Sequence, residues 1–210
     1  MVTRKESAAS TRRSLLDAAS SLLDAGGPGA VTLREVGARA GVSRGAPYRH
    51  FSDKESLLTS VATAGWDGVG DALEALAAGA GRSSASDLRD AVMVLVTVAR
   101  QHPHRYTLMF STPSGDPTAA IRAAGRTQDL FLSLVAELVG PEEAIRFGAI
   151  LLASAHGIAG LELSGHLSVE KWHTTAEMLI DDIIALLPTT GGNLKVPCEP
   201  PHRVPIDRRG

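Results

Sequence analysis

Apolar residues recur every three to four positions along most of this chain, a spacing that predicts helices rather than strands. Leu15, Leu16, Ala19, Leu22 and Leu23 form one face of a first helix over about 10–25, with Arg12 and Arg13 near its start. Gly26-Gly27-Pro28-Gly29 ends it. A short second helix starts at Thr32 as N-cap with Glu35 three residues later, the register of a capping box, and presents Leu33, Val36 and Ala40 to a core. Gly41 closes it, where a left-handed residue is expected. Ser43 is the expected cap of a third short helix ending near Phe51, and Ser52 or Asp53 the cap of a fourth that runs past Trp66.

Further helices are predicted at about 87–101, 103–111, 117–138, 142–164 and 169–187, divided by Pro103, Pro113, Pro117 and Pro141. The valine-rich run 91–99 also fits a buried strand. Asp87 and Asp90 at a helix start, and the lack of a partner strand, decide for helix. The fold class is therefore all-α. In the helix over 142–164, Ile145, Ala149, Leu152, His156, Ala159 and Leu163 form one stripe and Phe147, Leu151, Ala155 and Ile158 another. The last helix is equally broad, with Trp172, Ala176, Leu179, Ile183 and Leu186 beside Ile180, Ile184 and Leu187. Two apolar faces call for two packing partners, within one chain or across a dimer. Beyond Pro188 no periodicity remains, and residues 188–210 read as a loosely ordered tail.

Hydrophobic residues make up 44% of the 210, with a net charge of −2, the profile of a globular protein. The longest apolar tract, 149–163, is interrupted by His156 and glycines and flanked by Arg146 and Glu162, so no membrane span is expected. The N-terminal residues lack the apolar middle of a secretory signal, and the expected location is the cytoplasm. A lone cysteine, Cys198, excludes an internal disulfide. Charge is distributed unevenly: residues 1–58 hold nine Lys/Arg against six Asp/Glu, a net +3 that leaves −5 on the remainder. A basic front end suits a polyanion. Catalysis finds no support, because His102 and His104 flank a proline and His156, His166 and His173 lack the i, i+4 spacing of a helical ligand pair. No Gly-rich phosphate loop or Gly-x-Ser-x-Gly elbow is present, and no cofactor or metal is expected.

Two short helices joined by Ala40-Gly41-Val42-Ser43 match a helix-turn-helix, in which the first helix braces the second for entry into a major groove. The segment from Gly41 through Ser43, Tyr48-Arg49-His50-Phe51 and Lys54-Glu55-Ser56-Leu57, with Thr32-Leu33-Arg34-Glu35-Val36 before it, resembles the signature of the TetR family of regulators over about residues 10–66. The resemblance implies a three-helix DNA-binding domain at 9–66 and a larger helical ligand-binding and dimerisation domain at 67–187. It also implies a homodimer on a palindromic operator, joined through the helices at 142–164 and 169–187 and released by a small molecule. Thr32 and Ser43 can offer hydroxyls and neighbouring N–H groups to phosphates, and Arg34 lies beside them. Tyr48, His50 and Lys54 resemble the family's backbone contacts. Arg44 is the candidate base reader, since a guanidinium binds guanine O6 and N7 together, while Gly45, Ala46 and Pro47 add at most contact with a thymine methyl. With Ser43 as cap, Pro47 falls at the fourth helical position and should cost the first regular backbone bond.

His156-Gly157 followed by Leu161-Glu162, together with His102-Pro103-His104-Arg105-Tyr106, is similar to a TetR subgroup marked by a Trp and His-Gly motif, although no tryptophan precedes the histidine here. Candidate effector-binding residues are Trp66, Met93, Tyr106, Phe110, Gln128, Phe131 and His156.

Overall fold

The computed structural model describes residues 4–79, 85–111 and 116–188, and no strand occurs among them. In chain order the helices are α1 (Arg4–Ala30), α2 (Leu33–Arg39), α3 (Ala46–His50), α4 (Lys54–Gly79), α5 (Ala85–Gln101), α6 (Pro103–Met109), α7 (Thr118–Val139), α8 (Pro141–Leu163), α9 (Val169–Trp172) and α10 (Ala176–Ala185). Most of the predicted tail, Cys198 included, lies outside the described residues.

Local chemistry accounts for most boundaries. α1 breaks at Gly26 and at Gly27, whose φ of +66° suits glycine, and Pro28 begins one further turn. Thr32 caps α2 by accepting the Glu35 N–H at 3.1 Å, but the Glu35 carboxylate takes Arg34 instead of closing the capping box. Asp53 Oδ1 accepts the Ser56 N–H at 2.7 Å and starts α4.

Two expectations are corrected. The third helix starts at Ala46 after Gly45, with no side-chain cap, and the Ser43 carbonyl instead accepts the Ala46 N–H at 2.9 Å in the preceding turn. Pro47 is therefore in the first helical turn, where its missing N–H had no partner to lose. The single helix expected over 169–187 is broken: His173 is left-handed with φ +52°, and Thr175 Oγ1 captures the Met178 N–H at 3.3 Å to open α10. Trp172 consequently leaves the stripe assigned to it, turns outward and donates its indole N–H to the His166 carbonyl at 2.9 Å.

Two cores result. Leu15, Ala19, Leu23, Val31, Val36, Phe51, Leu57 and Val61 close the first, around α1–α3 and the start of α4. The second gathers the rest of α4, α5–α8 and α10, with Leu73, Leu88, Val96, Leu134, Leu151 and Ile180 fully enclosed. Each such aliphatic side chain contributes about 1.5–3 kcal/mol of burial. α4 serves both cores, Leu57 and Val61 in one and Trp66, Val69 and Leu73 in the other. α8 is long and apolar enough to cross a membrane by length and composition alone, a property that a search for unbroken uncharged runs passes over. Its Ala144, Gly148, Leu151, Ala155, Ile158 and Ala159 are buried among the neighbouring helices, while Ile145, Ile150, Ala153, Gly157, Gly160 and Leu161 face outward.

Candidate nucleic-acid interface and effector pocket

α2 and α3 cross at a point of close contact. A Cβ on Gly37 would stand 2.8 Å from Pro47 Cγ, so the proline ring occupies the space left by the missing side chain. Ala46 is 3% exposed and Pro47 is also buried, which corrects their assignment as base-contacting residues: both side chains pack inward. Thr32, Arg34, Ser43, Arg44, Gly45 and Tyr48 are exposed, whereas His50 and Lys54 are half-buried. Arg34, Arg44 and Tyr48 share the rim of one recess of about 500 Å³, floored by Gly37, Ala38 and Val42. Arg34 is held to Glu35 at 2.9 Å, while Arg44 has no ion-pair partner among the described residues and is free to meet an acceptor. Thr32 and Ser43 are also exposed on this unit, so hydroxyl and guanidinium groups of the kind suited to phosphates and base edges share one surface. Arg12, stacked 5.2 Å from the Phe51 ring centroid and donating to Ser60 Oγ at 3.1 Å, fastens α1 to the start of α4.

The second core holds a partly open cavity of about 260 Å³. Trp66, Val69 and Leu73 of α4, Ala91 and Leu95 of α5, and Leu152 of α8 wall it on one side. Met109, Phe110 and Ser111 at the end of α6, with Thr127, Gln128 and Phe131 of α7, complete it. Of the predicted effector residues, Trp66, Phe110, Gln128 and Phe131 line this space. Met93 does not; it packs half-buried against the core. Tyr106 and His156 stand behind Phe110, with ring centroids 4.9 and 4.4 Å from it. Burial pushes the Tyr106 phenol up to about 12, so it stays protonated and can donate to His156 Nδ1 at 2.9 Å. The lining residues that sequence reasoning missed are chiefly aliphatic, and nothing in their pattern separates a cavity wall from a core.

α6 connects this cavity to the first core. At its far end the Trp66 indole N–H donates to the Met109 carbonyl at 3.2 Å. At its near end His102 Nδ1 and Arg105 Nη2 both lie 2.9 Å from Asp24 Oδ2 on α1. The second carboxylate oxygen, Asp24 Oδ1, and Arg105 Nε are buried without hydrogen-bond partners. The near end is also tight, since a Cβ on Gly27 would come within 3.2 Å of the His104 ring.

Comparison with known proteins decides the family. Residues 15–61 match the family model described as bacterial regulatory proteins of the tetR family, and residues 88–187 match the tetracyclin repressor-like C-terminal domain. This chain belongs to the TetR family. The transcriptional regulator AcrR of Shigella flexneri is 40% identical over 57 residues, 27% of this chain, and the match spans about a quarter of that protein's length (26%). A structure of a protein of unknown function from Rhodococcus sp. RHA1 is 27% identical with a TM-score of 0.70, covering 84% of this chain and 95% of that one. A SmeT–triclosan complex, 22% identical with a TM-score of 0.59, covers 93% and 99% and shares the fold. TetR-family proteins are transcription regulators rather than enzymes, with an N-terminal helix-turn-helix and a helical C-terminal domain.

Proposed function

We propose that this TetR-family chain is a ligand-released repressor that binds a palindromic operator as a homodimer in the cytoplasm. The observation that carries the reading is α6, whose two ends touch a DNA-facing unit through Asp24 and the cavity of the second core through Met109. Residues 9–66 form the DNA-binding domain and 67–187 the sensing and dimerising domain, a division supported by the two cores. Arg44 reads a base edge, Arg34, Thr32, Ser43 and Tyr48 engage phosphates beside it, and His50 and Lys54 hold the flanking backbone. The outward face of α8, with Ile145 at 74% exposure and Ile150, Gly157 and Leu161 along it, is joined by Met178 of α10 and by Leu186 just past its end as exposed apolar surface fit for a two-fold partner. The SmeT complex supports a small-molecule site in this fold.

Selection of genomic DNA fragments by the purified protein, followed by sequencing, tests the reading. A palindromic motif is expected, with Arg44→Ala relaxing its sequence preference and Lys54→Ala weakening all sequences alike and flattening the salt dependence. Recovery of no motif at any salt concentration would remove operator binding.

A further inference from the structure

The side chains around the 260 Å³ cavity restrict what it can hold. Among the described lining residues none is ionisable. Arg126, next to Thr127 in sequence, is turned to the outer surface, where it meets Asp71 at 3.0 Å and Glu74 at 3.1 Å. A charged ligand group inside would lose its water and find no counter-charge.

The polar atoms that do line the space are mostly occupied. The Thr127 hydroxyl hydrogen is shared between the carbonyls of Trp66 at 3.0 Å and Ala123 at 2.9 Å. The Ser111 hydroxyl donates to the Leu108 carbonyl at 2.8 Å. The Gln128 amide alone among the lining side chains with hydrogen-bonding groups has no partner among the described residues, and it is exposed at the rim with Phe110 and Ser111. Trp66, Val69, Leu73, Ala91 and Leu95 are buried and form the floor. The volume lies below the roughly 300–1,000 Å³ of pockets for drug-sized ligands. At about 30 Å³ per water it equals roughly nine waters, the space of a one- or two-ring molecule.

Resting on the effector reading above, we infer that the ligand is an uncharged, flat, one- or two-ring molecule carrying a single hydrogen-bonding group. Its apolar end enters among Trp66, Leu73 and Leu95, its ring meets Phe110 and Phe131, and its polar end stays at the rim with Gln128. Anionic and cationic molecules of the same skeleton bind more weakly, because no described lining side chain offers a counter-charge.

Calorimetric titration of the full-length protein with 2-naphthol, 2-naphthoate, 2-naphthylmethylammonium and naphthalene separates these terms at pH 7. Expected is binding of 2-naphthol with a Kd at least about 30-fold below that of either ion. Gln128→Leu should bring 2-naphthol to the affinity of naphthalene, and Ala91→Phe, which fills the floor, should abolish binding of both. Equal or tighter binding of either ion overturns the inference, as does no binding of 2-naphthol at millimolar concentration; neither result needs a variant to fold. If 2-naphthol binds as stated yet leaves operator affinity unchanged, the ligand class stands and the effector reading fails.

Discussion

A methyl group on Gly37 would meet the rigid ring of Pro47 rather than the end of a flexible chain, so neither residue can adjust alone. Gly37→Ala is expected to destabilise the protein by about 1–3 kcal/mol in urea unfolding despite its better helix propensity. Adding Pro47→Ala should recover most of that loss, and a double variant no more stable than Gly37→Ala would show that the contact is not the cause. At this scale the sequence was legible where one residue acts on its near neighbours. Thr32 as a cap, Gly41 with φ +68° and Asp53 as a cap all follow from side-chain chemistry within three or four residues. The burial of Ala46 and Pro47 was not legible, because it depends on how closely α2 crosses α3, and that distance is set by a glycine nine or ten positions earlier.

Between elements, Arg100 of α5 ties α8 and α10 together, meeting Glu162 at 2.7 Å and Glu177 at 2.6 Å. Hydrogen bonding from Arg100 holds the Glu177 carboxyl down at about 2, against an ordinary 4.5. A depressed carboxylate stabilises the fold above its unfolded value, and that contribution is lost as pH falls through the folded one. Urea midpoints at pH 6, 4 and 2.5 should therefore show an acid-side decline that Glu177→Gln flattens. The pair is partly exposed, so the effect stays within about 1 kcal/mol. If the wild type and the variant decline in parallel, the pair contributes nothing to acid stability. The apolar periodicity of α4, α5, α7 and α8 was readable in the chain, yet the division of α9 from α10 was not. A histidine in the left-handed region carries no sequence signal, and Thr175 looked like any residue of an amphipathic helix.

For the whole molecule, communication between cavity and DNA should depend on Asp24. Asp24→Ala removes the acceptor shared by His102 and Arg105. It is expected to leave the selected DNA motif unchanged and the affinity for a cavity ligand within about threefold. The factor by which ligand weakens operator binding, typically about 5–150-fold in coupled systems, should collapse towards one. Ligand release as strong as in the unaltered chain would exclude the Asp24 contact as the route. Dimerisation has its own test in Gly157→Arg, which places a charge on the outward face of α8 without entering the core. Light scattering should then give a folded monomer, with affinity for a two-half-site operator reduced roughly 100-fold or more. A dimer surviving that change would relocate the interface. The helix-turn-helix signature was legible at this scale because its residues lie within one short stretch, whereas the cavity draws its walls from helices distant in sequence.

Because α4 passes unbroken from Lys54 to Gly79 and Trp66 lines the cavity, a tilt of the helix about that point would carry its Lys54 end as a stiff arm. From Trp66 to Lys54 the arm is ~18 Å long at about 1.5 Å per residue, so a swing of about 10° carries its tip ~3 Å. In a two-fold pair the tips move in opposite senses, changing their separation by ~6 Å against a half-site spacing of about 34–36 Å. That displacement would be nearly two base-pair steps of about 3.4 Å, so in the proposed dimer such a tilt would put the pair out of step with a two-half-site operator.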